Sequence, residues 1–211
     1  LTLPELERAF ALAMQAAGGE KFALLINDAC LMGSAEYFAT IAPYFRYTIA
    51  SPEIVVNPAL DMQMLLEGLR ENPQGIDIVQ LSKDLIDKYI EVDVLQRQTS
   101  DVVYMTNAII VLSQFSPVVS AIENFASVVN RNPNVRGLTL GEARSNVYVY
   151  TSFMGGKDNI DLGDLMRRII ANARDDEMIA AAERVLKTIE KAYIYGNGGE
   201  RAARFTSYYN I

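Results

Sequence analysis

Histidine is missing altogether from these 211 residues, and cysteine occurs once. Without histidine the chain lacks the usual base partner of a nucleophilic side chain. A single cysteine excludes an internal disulfide framework and a zinc site of the clustered Cys/His kind, and it leaves the redox compartment open. Positive charge is also scarce: 19 Lys and Arg face 26 Asp and Glu, for a net charge of −7. The basic residues do not cluster, so the positive stripe that a nucleic-acid partner requires is not there. No apolar run is clean enough to cross a bilayer. The longest uncharged stretch, Val102 to Ile122, carries Thr106, Asn107, Ser113, Gln114, Ser116 and Pro117, and reads as a buried strand leading into a buried helix. Internal repeats and low-complexity linkers are lacking too. The chain opens at Leu1 without a basic-then-apolar leader, which leads us to expect a processed chain or a fragment.

What is present suits an ordinary buried core, with 50% hydrophobic and 21% charged residues. Thr2 and Glu5 form a capping box, Pro4 lies in the first turn, and Leu6, Phe10, Ala13, Met14 and Ala17 recur on one face before Gly18-Gly19. "FALLIN" is a short continuous apolar run, the mark of a strand covered on both faces. Ser34 is placed to cap a helix over "AEYFATIAPYF", and "RYTIAS" reads as a second strand. Helix, strand, helix, strand implies a mostly parallel sheet with helices on both faces. Helical spacing returns at Met62, Leu65, Leu66 and Leu69, and again at Ile78, Leu81, Leu85 and Tyr89. "DVVYMT" reads as a strand before a long helix to about Val129, and "NVYVYTSF" as a strand or a loop. Asp161 caps a helix carrying Leu162, Leu165, Met166, Ile169 and Ile170. A further helix from about Asp176 to Tyr193 turns Ile179, Ala182, Leu186 and Ile189 inward, and "NGGERAARFTSYYNI" closes the chain as a turn and a last strand. We read one layered α/β domain over 1–211, with the core sheet and helices in 1–130 and a more helical portion in 131–211.

Ligand sites of open α/β sheets form at the carboxyl ends of strands, and the lone cysteine, Cys30, lies there with Asp28. Along an extended chain residues i and i+2 share a face, which would turn thiol and carboxylate into one crevice. The residues after Cys30 open towards a helix whose free N–H groups favour negative charge and help hold an oxyanion. A cysteine after a buried strand is equally compatible with plain packing.

"NDACLMGSAE", Asn27 to Glu36, resembles the nucleophile motif of the clostripain family of cysteine endopeptidases, in which a strand ends in Asp-Ala-Cys and is followed by Met-Gly and a Glu. The likeness continues in order through Leu3 and Leu6, "ASPE" at Ala50 to Glu53, "IDLGDL" at Ile160 to Leu165, and the closing "FTSYYNI". The resemblance implies a caspase-like three-layer sandwich and cleavage after Arg or Lys. It implies Cys30 as nucleophile and Asp28 at the floor of the S1 pocket, where a carboxylate holds a guanidinium in a two-pronged pair. Ser51 and Glu53 would line that pocket, although Glu53 also reads as a solvated loop charge, and Glu36 fits the first turn of a helix. Where the family has a Gly-(Phe or Trp)-Pro-Tyr loop, this chain has "NPALDM", Asn57 to Met62. In the family the catalytic histidine lies upstream of the first helix seen here, and light and heavy chains form by cutting between the His and Cys segments. The resemblance therefore implies the Cys-bearing part of an enzyme, partnered by a His-bearing light-chain-like part and a peptide with a basic P1 residue, in a secreted or periplasmic setting. Two alternatives stand beside it: a histidine-free binding or scaffolding subunit, and a phosphoacceptor domain using Asp28. No cofactor is expected. "KDNIDLGD", Lys157 to Asp164, hints at calcium, but its spacing does not match a calcium loop and helix capping accounts for it.

Overall fold

Glu5 reaches back from the first helix to accept from the Thr2 backbone N–H at 2.7 Å, which fixes the start of α1 (Leu3–Ala16) where the sequence predicts it. The computed structural model describes residues 2–55, 60–97, 105–150 and 159–198, with side chains for all of these except 92–97. After α1 come β1 (Phe22–Ile26), α2 (Ala35–Ile41) and β2 (Phe45–Ala50), then α3 (Met62–Glu71) and α4 (Ile78–Arg97). The chain continues with β3 (Thr106–Val111), a 3-10 turn over Leu112–Gln114, α5 (Phe115–Asn130) and α6 (Pro133–Asn146). It then runs through α7 (Leu162–Asn172), α8 (Asp176–Ala192) and β4 (Tyr193–Gly198).

The four strands lie in the order β1-β2-β3-β4. β1 and β2 are parallel, in the register Leu24 to Tyr47 and Ile26 to Ile49. β2 pairs antiparallel with β3, Ala50 facing Ala108, and β3 antiparallel with β4, Asn107 facing Asn197. The expected mostly parallel sheet is thus corrected to a mixed one among the described strands. Helix parity accounts for the difference. Among the described residues one α-helix joins β1 to β2, whereas two join β2 to β3 and four join β3 to β4. A single crossover helix brings the chain back to the end it left, and an even number delivers it to the opposite end.

Helices do cover both faces, as expected of a three-layer sandwich. On one face Ala50, Ala108 and Ile110 pack with Phe38 and Ile41 of α2, Phe115 and Val118 of α5, and Val185 and Ile189 of α8. On the other, Ile49 and Ile109 pack with Leu85, Ile86 and Tyr89 of α4. Alternation along β2 and β3 sends neighbouring residues into opposite layers. Phe10 docks α1 onto the first layer edge-on to Phe45, with ring centroids 4.9 Å apart.

Several elements differ from the sequence reading. β3 begins at Thr106, the last residue of "DVVYMT", and runs on to Val111, while the first four residues of that stretch fall outside the described ones. β4 occupies "YIYGNG", which the sequence reading divided between a helix end and a turn, while "FTSYYNI" lies outside the described residues. The buried stripe of α8 is Met178, Ala181, Ala182, Val185 and Ile189. Ile179 and Leu186 flank it, half-exposed. On α3, Leu65 is half-buried, but Met62, Leu66 and Leu69 face outward. The antiparallel order also gathers the loops after β1 and β2, the start of β3 and the end of β4 along one rim of the sheet.

Candidate active site

The rim is fixed first by Asn27, the residue after β1. Its N–H continues the ladder to the Ile49 carbonyl at 3.0 Å. Its side-chain amide donates to the Thr48 hydroxyl at 2.8 Å and to the Ile49 carbonyl at 2.9 Å. The Tyr37 hydroxyl, from α2, donates to Asn27 Oδ1 at 2.5 Å. Burial pushes the Tyr37 phenol up to about 12, because the phenolate would lose its water. Every polar atom of the buried amide used here has a partner, so the point at which the chain leaves the sheet is held rigidly.

Beyond Asn27 the chain stops being a strand. Asp28 and Ala29 are exposed, and Cys30 is half-buried in a turn. Leu31 adopts φ 60°, in the left-handed region that a branched side chain avoids at a cost of about 1–2 kcal/mol. Neighbouring bonds enforce it: Leu31 N–H donates to the Glu53 carbonyl at 3.0 Å, and Gly33 N–H to the Ser51 carbonyl at 2.8 Å. Gly33 is obligatory for that approach, since a Cβ there would lie 2.5 Å from the Pro52 nitrogen. The Cys30 sulfur belongs to the same seam. Val55 N–H donates to Sγ at 3.3 Å, and the thiol faces the Val55 carbonyl at 3.6 Å.

One expectation is corrected by this geometry. Alternation along an extended chain does not relate Asp28 to Cys30, because the backbone bends at residue 29 and turns at 30. The helix towards which the residues after Cys30 open starts where its predicted Ser34 cap places it. α2 opens at Ala35, capped by the Ser34 hydroxyl, which accepts from Tyr37 N–H at 3.2 Å. The intervening N–H groups of Leu31 and Gly33 are already spent on the 51–53 loop.

Ser51 and Glu53 are brought to Cys30 by that seam, and both are fully buried. The Ser51 hydroxyl accepts from Glu53 N–H at 3.0 Å and donates to the Glu53 carbonyl at 3.1 Å, closing a tight turn. Burial of Glu53 overturns the reading of a solvated loop charge. Its carboxylate accepts from the Tyr148 hydroxyl at 3.3 Å. Asp28, in contrast, projects from the loop and forms no hydrogen bond or ion pair within the described residues. Glu36 is exposed in the first turn of α2, as expected.

Sequence reasoning missed Val55, Tyr37 and Tyr148. The first acts through its backbone, and the other two are linked by tertiary contacts that no local pattern encodes. Thr106 and Asn107 also lie at this rim, wholly buried, and the Thr106 hydroxyl and both Asn107 side-chain polar atoms have no hydrogen-bond partner among the described residues. In "IDLGDL", Asp161 is a cap: its carboxylate accepts from Asp164 N–H at 2.6 Å. Among the described residues no group of three or more His, Cys, Asp or Glu side chains is placed to hold a metal ion. Nor does any helix among them have the length and apolarity to cross a membrane.

Comparison with known proteins places this geometry. The profile of the clostripain family matches residues 1–210. No curated protein matches the chain. Among solved structures, a cysteine protease of B. fragilis superposes with a TM-score of 0.65 at 15% identity, over 94% of this chain and 74% of its own. A clostripain from Bacteroides thetaiotaomicron, in complex with the peptide inhibitor BTN-VLTK-AOMK, gives 0.62 at 15% identity over 95% and 76%. A secreted C11 cysteine protease from the same species, bound to an irreversible peptide inhibitor, gives 0.64 at 18% identity over 93% and 48%. At these identities the superpositions establish the shared fold.

Proposed function

The chain belongs to the clostripain family, and from that premise we propose that it is the nucleophile-bearing part of a cysteine endopeptidase that cuts after basic residues. The observation that carries the reading is the Cys30 loop. A half-buried thiol stands at the rim of the sheet, its sulfur held by the Val55 N–H, with the exposed carboxylate of Asp28 on the same loop. A half-buried sulfur held in one direction by a backbone donor supports attack on a carbonyl.

In this reading the Cys30 sulfur attacks the scissile carbonyl and forms a thioester as the amine leaves with a proton. Water then hydrolyses the thioester and restores the thiol. The proton carrier is a histidine, which this chain does not contain, and so comes from an N-terminal light-chain-like part. Asp28 receives the guanidinium or ammonium of the residue before the cut, because an exposed, unpaired carboxylate is free to form a two-pronged pair. Ser51 and Glu53 form the wall behind it, since their turn is bonded directly to the Cys30 loop. Peptide inhibitors on two structural neighbours, one of which ends in VLTK, support a peptide substrate with a basic terminal residue. A secreted neighbour supports an extracellular setting.

The absence of histidine favours one other reading, a family member that binds peptides without cutting them. Fluorogenic peptides ending in Arg or Lys, offered to the full-length protein, separate the two. Cleavage that disappears in Cys30→Ala is expected of the peptidase. Binding without cleavage identifies the scaffold.

A further inference from the structure

The seam that holds Cys30 is anchored by a residue distant in sequence. Tyr148 lies 95 positions from Glu53 in sequence, yet its hydroxyl reaches the buried carboxylate at 3.3 Å. Tyr148 is itself pinned by the start of α7. Its N–H donates to Asp164 Oδ2 at 2.7 Å, and its carbonyl accepts from Asp161 N–H at 2.9 Å. Its ring meets that of Tyr150 edge-on at 5.2 Å, and the Tyr150 hydroxyl donates to the buried Asp161 at 2.6 Å. One continuous set of contacts therefore runs from α7 through Tyr148 to the Glu53 turn, and on through Leu31 N–H and Val55 N–H to the nucleophile loop.

We propose that Tyr148 is a positioning residue for Cys30: through Glu53 it fixes the turn whose backbone holds the sulfur. The proposal rests on the reading of Cys30 as the nucleophile and adds a determinant of its orientation. Physical reasons favour this role over simple packing. Glu53 is wholly buried and part of the tight turn, so a donor to its carboxyl group acts in a poorly screened environment and is felt at the turn. The bond is longer than an optimal O–H···O contact, so it orients the turn without being the bond that folds it. The segment after the turn meets the sulfur through the Val55 N–H and the Val55 carbonyl.

The test uses the full-length protein and two reagents whose adducts on Cys30 are followed by peptide mapping: a peptide acyloxymethyl ketone ending in lysine, whose reaction depends on the direction of the sulfur, and iodoacetamide, whose reaction depends on access. In Tyr148→Phe we expect the directed rate to fall about tenfold, the rate equivalent of one hydrogen bond. Iodoacetamide alkylation should stay within about twofold and the melting temperature close to that of the parent. In a Glu53→Ala background the same change should add nothing, because the effect passes through Glu53. Additive effects of the two substitutions overturn the proposal, and so does a fall in both rates together with the melting temperature. A directed rate unchanged in Tyr148→Phe overturns it while leaving the nucleophile in place. Failure of the directed reagent to label the parent protein removes the nucleophile reading itself, and this proposal with it.

Discussion

Gly33→Ala pushes one methyl group onto the backbone of Pro52. The new Cβ would lie 2.5 Å from the Pro52 nitrogen, 2.8 Å from its Cα and 2.9 Å from its Cδ. None of these atoms belongs to a flexible side-chain end, so the two loops must separate. Separation stretches the 2.8 Å bond from Gly33 N–H to the Ser51 carbonyl, and with it the neighbouring 3.0 Å bond from Leu31 to Glu53. Overpacking of this kind costs about 1–3 kcal/mol, and a weakened hydrogen bond about 1 kcal/mol. We therefore expect a loss of roughly 2–4 kcal/mol in chemical denaturation, together with at least a tenfold fall in directed labelling of Cys30. The control is built into the chain. Gly137 and Gly141 lie in α6 with open space where a Cβ would go, so alanine there should be neutral or stabilise by up to about 1 kcal/mol. If Gly33→Ala unfolds within about 0.5 kcal/mol of the parent and labels at the parental rate, the seam does not hold the nucleophile loop, and the reasoning is refuted.

Asp28→Asn should lower kcat/KM for substrates ending in Arg or Lys by at least tenfold and leave the melting temperature unchanged, since the side chain is exposed and bonded to nothing in the described fold; equal losses in both would remove its pocket role. Thr106→Val deletes a buried hydroxyl that has no partner among the described residues, replaces it with a strand-favouring isostere, and should stabilise the protein by about 1 kcal/mol in urea unfolding; destabilisation would mean the hydroxyl is engaged. Tyr37 holds its proton up to about pH 12 when folded, against an ordinary phenol near 10. The folded state therefore binds more protons than the unfolded state between those values, and stability falls as pH rises from 10 to 12. Tyr37→Phe should lose that part of the alkaline slope, as followed by denaturation at stepped pH.

How much of this was legible in the sequence depends on the range of the signal. Caps and stripes are local, and they read correctly at Thr2, Ser34 and Asp161 and along α4 and α7, where Leu85, Tyr89, Leu165 and Ile169 are buried. The Asp-Ala-Cys segment also announced itself, because a cysteine, a glycine and an N-cap follow a strand in one short run. Strand direction did not. It follows from how many helices each connection holds, and "YIYGNG" is too short and too rich in glycine to look like a strand from inside. β3 continues past the end of the predicted strand because Thr106 and Asn107, which are polar, are wholly buried in it. The exposure of Met62, Leu66 and Leu69 shows the converse limit, since helical spacing identifies a stripe without identifying what meets it. Glu53 could be read two ways until its burial beside Tyr148 was seen.

The central claim is that the Cys30 sulfur is a directed nucleophile. Intact mass and peptide mapping of the full-length protein, after exposure to a lysine-ended acyloxymethyl ketone, test it most directly. A single adduct on Cys30, absent in Cys30→Ala, is the predicted result. A protein that iodoacetamide alkylates at Cys30 but the directed reagent leaves untouched, or an adduct that persists without the cysteine, would contradict it.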